Sequence, residues 1–150
     1  MFSKKQISYL KDTLETMGFS GEDINIELEN LIYYIENISE TITLYRILKV
    51  DSKKDIDLDE LGSHYSTNKK DLLSSHYYVT GGGERTYLVT VEANKNQIDF
   101  FETIHNNILY PNEQEVTLKN KGKGVNVISV KKIKGTNVPF IVGGGAGSRI

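Results

Sequence analysis

Hydrophobic residues recur at helical spacing through the first 38 residues of the chain. Apolar positions three or four apart predict one helix over Ser3 to Met17, and Gly18 is a natural stop for it. A second apolar stripe runs from Ile24 to Ile38, and Ser20 or Gly21 can cap that helix. We expect the two helices to form an α-hairpin that packs over one side of a sheet; a helical surface that recognises a partner is the alternative.

The hydrophobic pattern then changes to the alternation typical of β-strands. Thr43–Val50 and Thr86–Ala93 alternate most regularly and predict two strands, and Ile98–Asn106 returns to helical spacing. The shorter predicted elements are a helix over 69–73, strands over 75–79 and 138–142, and a hairpin in which the turn 119–124 joins strands 113–118 and 125–130.

The order of these elements, two helices followed by strands, predicts an α+β fold. We expect the helical hairpin to pack on a split pair of antiparallel β-sheets with a cleft between them. A chain of 150 residues is long enough to bury about two-thirds of its unfolded surface as a single domain. That domain is expected over 1–142, with the hairpin in 1–40 and a β core in 41–142, and the glycine-rich residues 143–150 are expected to form a flexible tail.

Composition excludes several classes of protein. The chain has no cysteine, which rules out a disulfide framework, a thiol nucleophile and a cysteine zinc site. Its formal charge is -2, with 13 acids and 7 bases in residues 1–60 and 7 acids and 11 bases in residues 61–150. This asymmetry is too weak to predict nucleic-acid binding. Neither a signal peptide nor a membrane span is expected, so we expect a cytoplasmic protein. We expect no bound metal.

A single arginine interrupts the apolar strand 44–48. Arg46 shares a face with Leu44 and Leu48, because side chains alternate along a strand. Burying an unpaired guanidinium costs several kcal/mol, so Arg46 needs an anion. A nearby carboxylate would satisfy it in a salt bridge, and a bound phosphate or diphosphate, which matches the planar guanidinium fork, is the alternative.

Two glutamates lie one strand period apart in the predicted strand 113–118. Glu113 and Glu115 alternate with Gln114 and Val116, so both carboxylates project from one face. Like charges this close repel each other, and an exposed edge that blocks aggregation is one explanation. The other is a pair with divided duties, in which one carboxylate holds a sugar hydroxyl and one activates an acceptor.

A polar triplet lies between the arginine strand and the acidic strand. Ser66, Thr67 and Asn68 follow the aromatic pair His64 and Tyr65. Thr67 or Asn68 can cap the helix predicted next, which would place the Ser66 hydroxyl at a junction between strand and helix. Capping alone is one sufficient explanation for the triplet, and a binding role for its hydroxyls is the other.

An arginine strand, an aromatic-Ser-Thr strand and a Glu-x-Glu strand, in that order, resemble the ADP-ribosyltransferase family of the arginine-serine-glutamate class. The similarity runs from Thr43 to Ile133 and includes the lead-in 109–112 before the acidic pair. It implies an ADP-ribosyltransferase-like fold, similar to the small phage-type and C3-like mono-ADP-ribosyltransferases, with NAD as co-substrate. Ile47 stands where many members have glycine after the arginine, and Asn68 stands where many have a second serine.

The resemblance also assigns roles to individual residues. Glu115 would hold the 2′-hydroxyl of the nicotinamide ribose, Arg46 would clamp the diphosphate, and Ser66 would position Glu115. Glu113 would lie nearest the acceptor, and a glutamate there marks arginine acceptors in the family, because a carboxylate can orient and help deprotonate a guanidinium. The other residues that the resemblance places at NAD are His64, Tyr65 and Thr67, and it places Tyr110 against the target unless this tyrosine belongs to the core.

The same resemblance implies a biological setting. Small phage-type transferases act inside cells on host proteins, some of which belong to host defence, so the implied partner is a protein in the host cytoplasm. A catalytically inactive relative that binds NAD or a protein is the alternative. We expect Arg46, Ser66 and Glu115 to line one cleft, and Glu113 and Glu115 to stand in its solvated part.

Overall fold

The computed structural model describes residues 2–75, 79–80, 85–111 and 113–133. Their fold is α+β, as predicted. The predicted strand 138–142 and the tail 143–150 lie outside the described residues, as does most of the predicted strand 75–79. The elements in chain order are α1 (Lys4–Thr16), α2 (Glu22–Glu36), β1 (Thr41–Val50), β2 (His64–Ser66), α3 (Lys69–Ser75), β3 (Val79–Thr80), β4 (Arg85–Asn94), α4 (Phe100–Leu109), β5 (Glu115–Thr117) and β6 (Asn126–Ile133).

The first two helices begin where the local sequence predicts. Ser3 and Gln6 form a capping box: the Ser3 hydroxyl accepts from the Gln6 amide at 3.1 Å, and Gln6 Oε1 accepts from the Ser3 amide at 3.0 Å. Glu22 and Asp23 lie in the first turn of α2, where negative charge is favourable. Both helices pack on each other and on α4, and among the described residues no helix combines the length and apolar character needed to cross a membrane.

The strands of the described residues form one sheet rather than the predicted pair. Its order is β5-β2-β1-β4-β6, with β3 parallel to β1 and every other pairing antiparallel. The predicted hairpin over 113–130 is also wrong, because β6 pairs with β4 at the opposite edge from β5. Strand β4 offers ten residues for pairing, whereas β5 is three residues long and its outer edge is already occupied.

The occupant of that outer edge is helix α4. The Thr103 hydroxyl accepts from the Thr117 amide at 3.0 Å, and Asn107 Nδ2 donates to the Glu115 carbonyl at 2.9 Å. Helix side chains therefore satisfy main-chain groups that would otherwise recruit another strand. This contact fixes the position of Glu115 relative to α4.

The two faces of the sheet have different coverings. The main-core face carries Leu44, Val89 and Val116, which pack with buried residues of α1, α2 and α4. The α3 face carries Ile47 and Leu88, which pack with Leu72 of α3 in a smaller cluster. Since neighbours along a strand point to opposite faces, every side chain in β1, β2 and β5 can be assigned to one covering or the other.

Candidate active site

Glu115 is the most enclosed charged residue among those that the structure describes, with 1 % of its surface exposed. Its Oε2 atom lies 2.6 Å from His64 Nδ1, 2.9 Å from Asn106 Nδ2 and 2.8 Å from Thr117 Oγ1. These groups come from three elements, β2, α4 and β5 itself. The expectation that Glu115 stands in a solvated cleft is therefore wrong, because α4 covers the edge from which this side chain projects.

The hydrogen-bond roles around Oε2 follow from what each group can donate. An ionised carboxylate only accepts, so when Glu115 is ionised the His64 ring donates to it from Nδ1. Thr117 has one hydroxyl hydrogen, which it gives to Glu115, and its oxygen accepts from Asn106 at 3.0 Å. Hydrogen bonds that act on the charged form favour ionisation, whereas burial disfavours it. The site thus offsets the desolvation of one carboxylate with converging donors.

Ser66 lies directly opposite Glu115 in the pairing of β2 with β5. Both side chains therefore belong to the α3 face, together with Tyr45, the partner of Ser66 on β1. The Ser66 hydroxyl accepts from the Asn68 amide at 3.1 Å and donates to the Asn68 carbonyl at 3.3 Å. Asn68 in turn caps α3 by accepting from the Asp71 amide at 3.0 Å. These contacts agree with the interpretation that Ser66 and Asn68 cap the start of α3.

Thr67 links the start of α3 to the start of β5. Its amide and its hydroxyl both donate to the Gln114 carbonyl, at 3.1 and 3.2 Å. Gln114 has a positive φ of 50° and turns its side chain to Asp71, which it reaches at 3.0 Å. The predicted alternation of the acidic strand is broken here, so Glu113 lies outside β5 and is half-buried. The two glutamates do not form a simple pair on one strand face.

Tyr110 ends helix α4 and is 37 % exposed. Its amide donates to the Asn106 carbonyl at 2.8 Å, and its carbonyl accepts from the Glu113 amide at 3.1 Å. This exposure excludes the alternative of a core tyrosine. Tyr110 is thus a surface residue at the entrance to the acidic segment.

Arg46 lies on the main-core face, as its alternation with Leu44 and Leu48 predicts, and is only 4 % exposed. Its Nη1 donates to the His64 carbonyl at 2.7 Å, and its Cζ lies 5.9 Å from the centre of the Tyr65 ring. A Cβ added to Gly62 would lie 2.8 Å from Cζ. The guanidinium therefore lies against main chain on one side and an aromatic ring on another, a cation–π arrangement.

A cavity of about 350 Å³ opens beside Arg46. It mixes cationic and anionic groups, and Lys121 and Glu60 form a salt bridge of 3.4 Å at its margin. Neither Ser66 nor Glu115 belongs to the lining, so the expectation of one cleft shared by all three residues is not met. The charged lining residues are Arg46, Lys49, Asp55, Asp57, Glu60 and Lys121.

His64 nevertheless joins the two regions. Its carbonyl accepts from Arg46, and its imidazole lies against Glu115. A single residue thus separates the guanidinium from the carboxylate, although their side chains project from opposite faces of the sheet. Gly62 and Ser63, which precede His64, line the cavity beside Arg46.

Tyr65 is fully buried beneath Arg46. Burial raises the pKa of Tyr65 to about 12, although the positive charge of Arg46 acts in the opposite direction. The hydroxyl has no hydrogen-bond partner among the residues that the structure describes. Tyr65 is therefore a neutral phenol that supports the guanidinium at ordinary pH.

Asn106 is the site residue that the sequence did not predict. It is 8 % exposed and donates to both Glu115 and Thr117. The available signal was the spacing of Thr103, Asn106 and Asn107 along an otherwise apolar helix, since three and four residues apart is one helical face. Hydrogen-bonding side chains on a buried face need partners, which is what β5 provides.

Comparisons with known proteins found no match for this chain, either among protein-family models or among curated proteins and solved structures. The resemblance to ADP-ribosyltransferases accordingly depends on the three sequence motifs alone.

Proposed function

We propose that this protein transfers ADP-ribose from NAD to a protein side chain, with arginine as the favoured acceptor. The observation that carries the proposal is the meeting of the three motifs at His64. Its carbonyl accepts from Arg46 at 2.7 Å, and its Nδ1 lies 2.6 Å from Glu115 Oε2. Ser66 lies opposite Glu115 on the adjacent strand. Residues separated widely in sequence are thus neighbours through two hydrogen bonds.

The proposed reaction replaces one bond at the anomeric carbon of the nicotinamide ribose. The bond to the nicotinamide nitrogen breaks, and nicotinamide leaves with the bonding electrons. A new bond forms from the acceptor nitrogen, whose proton passes to a base, for which Glu113 is proposed. The transition state is oxocarbenium-like, and a carboxylate such as Glu115 on the 2′-hydroxyl would stabilise it more than the ground state.

In this proposal the diphosphate of NAD lies in the cavity beside Arg46. Gly62 and Ser63 line that cavity and continue directly into His64. Arg46 supplies a guanidinium suited to a diphosphate, and the cavity of about 350 Å³ has the size of a small-ligand pocket. We further propose, by analogy alone, that the target is a host protein modified in the cytoplasm by a phage effector.

An inactive module that binds NAD or a protein is the second candidate. The burial of the two charged groups favours it, since Arg46 is 4 % exposed and Glu115 is 1 % exposed. Both already have partners within the protein. If Arg46 and Glu115 stabilise the folded protein and do not act on NAD, the protein can bind NAD without cleaving it.

Incubation of the purified protein with NAD labelled in the adenosine half, alone and with a bacterial lysate, separates these candidates. Nicotinamide release together with a labelled protein band is expected for the transferase. Saturable NAD binding in calorimetry without release of nicotinamide would establish the inactive module instead. Absence of binding, release and label would reject the transferase and the NAD-binding module, and would leave only a module that binds a protein.

A further inference from the structure

Three donors converge on one oxygen of Glu115, and one of them, Asn106, also orients a second, the Thr117 hydroxyl. Its Nδ2 donates to Glu115 Oε2 at 2.9 Å and to Thr117 Oγ1 at 3.0 Å, which uses both amide hydrogens. Because the Thr117 oxygen accepts from Asn106, its only hydrogen is directed to Glu115, at 2.8 Å. Asn106 thus donates directly to Glu115 Oε2 and also directs the Thr117 hydroxyl hydrogen to the same oxygen.

We propose that Asn106 is the positioning residue for Glu115, in the role that the resemblance gives to Ser66; this inference rests on the proposed transfer reaction. The single hydrogen of the Ser66 hydroxyl goes to the Asn68 carbonyl at 3.3 Å, within the turn that starts α3. Ser66 therefore serves the loop, and the carboxylate is held from α4. The task of supporting the glutamate has moved from the neighbouring strand to the helix at the sheet edge.

Asn106 can perform this task because α4 is attached to β5 in a defined register. Thr103 accepts from the Thr117 amide at 3.0 Å, and Asn107 donates to the Glu115 carbonyl at 2.9 Å and to the Thr103 carbonyl at 2.7 Å. These contacts lie one residue or one turn away from Asn106 along the same helix. The attachment sets the register of α4 on β5, and the Asn106 amide is the group of α4 that contacts the Glu115 carboxylate. Small displacements of a group that acts in the transition state are costly, so this direct contact sets the direction of the carboxylate.

The amide also differs from histidine as a donor. The Asn106 amide does not titrate, so it remains a hydrogen-bond donor at every pH at which the protein is folded. An imidazole such as that of His64 is a titratable group, which an amide is not. Asn106 is thus the donor that holds the carboxylate in place independently of pH.

The first test compares Asn106→Ala with the matched variant Asn107→Ala. Asn107 is an amide of the same size on the same helix, but its Nδ2 donates to main-chain oxygens. We expect Asn106→Ala to lower kcat for nicotinamide release by ~10²-fold with little change in KM for NAD. Asn107→Ala is expected to lower the melting temperature about as much as Asn106→Ala does, but to change kcat much less. Equal kcat losses in the two variants would reduce Asn106 to a structural residue and overturn the proposal.

Ser66→Ala tests whether Ser66 or Asn106 contributes more to positioning Glu115. If Asn106 positions Glu115, Ser66→Ala lowers kcat by less than Asn106→Ala does. A larger loss in Ser66→Ala would return the positioning role to the serine and overturn the inference.

A third variant, Asn106→Asp, keeps the shape and reverses the chemistry. It places a carboxylate about 3 Å from Glu115, and like charges at that distance resist joint ionisation. The acidic limb of the pH profile for nicotinamide release should therefore move to higher pH. An unchanged pH profile would contradict a direct contact between Asn106 and the acting carboxylate.

Failure of the inference and failure of the proposed function give different results. A wild-type protein that releases no nicotinamide rejects the proposed function. The positioning contact is then judged by NMR titration of the His64 imidazole, which shares Glu115 with Asn106. Asn106→Asp should move its midpoint to higher pH, because added negative charge favours the protonated ring. An unmoved midpoint would overturn the contact itself.

Discussion

Glu115 and Arg46 are both buried charges on neighbouring parts of one sheet, but their surroundings are built differently. Glu115 is held by side chains: the ring of His64, the amide of Asn106 and the hydroxyl of Thr117. Arg46 is held by the His64 carbonyl and the Tyr65 ring, with the main chain of Gly62 close to its guanidinium. The environment of Glu115 consists of side-chain donors that single substitutions can remove, whereas the environment of Arg46 includes close-packed main chain.

This difference predicts how the two regions respond to substitution. A side-chain donor can be removed without moving the chain, so changes around Glu115 should act first on chemistry. Close backbone approach cannot be relaxed by one side chain, so changes around Arg46 should act first on stability. Buried charges are costly in either setting, which is why both depend on fixed partners.

The largest effect on stability is expected at Gly122. Its φ is 73°, and an added Cβ would lie 2.6 Å from both the Gly62 carbonyl oxygen and the Tyr65 hydroxyl oxygen. Gly122→Ala should therefore lower the free energy of unfolding by about 3 kcal/mol or more, from backbone strain and overpacking together. Urea unfolding monitored by circular dichroism measures this change.

Gly124 in the same turn provides the control. Its φ of 82° imposes a similar backbone strain, but no atom lies within 4 Å of an added Cβ. Gly124→Ala should cost about 1–2 kcal/mol, the strain alone. If the two alanine variants are equally destabilised, the tight packing beside Tyr65 and Gly62 is not present in the folded protein.

A smaller effect is expected from the buried phenol beneath Arg46. The pKa of Tyr65 is raised from 10.0 to about 12, so the folded state resists its ionisation. The neutral phenol therefore contributes to the free energy of unfolding, by at most roughly 2–3 kcal/mol. This contribution is complete below pH 10 and is lost as the pH rises towards 12. Tyr65→Phe should therefore lose less stability than the wild type over this pH window.

Denaturation of the two proteins between pH 9 and pH 12 tests this expectation. Tyr45→Phe serves as the control, because Tyr45 lies on the opposite face of the same sheet and is only partly buried. Parallel pH curves for the wild type and Tyr65→Phe would show that the Tyr65 hydroxyl is accessible to water.

Local patterns were sufficient to predict the elements that carry the site. The helical spacing of α1, the alternation in β1 and the helical spacing of α4 all lie within short segments. The placement of Arg46 with Leu44 and Leu48 on one face follows from strand geometry alone. These features need no knowledge of distant residues.

Features that depend on long-range pairing were not predicted. A lysine- and glycine-rich turn before a β-forming segment indicates a hairpin, yet β6 crosses to β4, since α4 occupies the outer edge of β5. That same covering buries Glu115, which the strand pattern alone places in solvent. The role of Asn106 depends on the contact of α4 with β5 and therefore cannot be read from the helix sequence alone.

The most direct test of the central claim is a pair of rates measured on Glu115→Gln and Glu113→Gln. The rates are nicotinamide release from NAD and transfer of label to an arginine-containing protein, with melting temperature as the control for folding. A glutamine at 115 can still accept hydrogen bonds through its amide oxygen, so neither variant should unfold.

If Glu115 holds the ribose, Glu115→Gln should lower both rates by ~10²–10⁴-fold. Glu113→Gln should retain most of the nicotinamide release and lose the transfer, because water needs less help than a guanidinium. Equal losses of both rates in both variants would contradict the division of labour between the two carboxylates. Unchanged rates in Glu115→Gln would contradict the assignment of Glu115 as the catalytic residue.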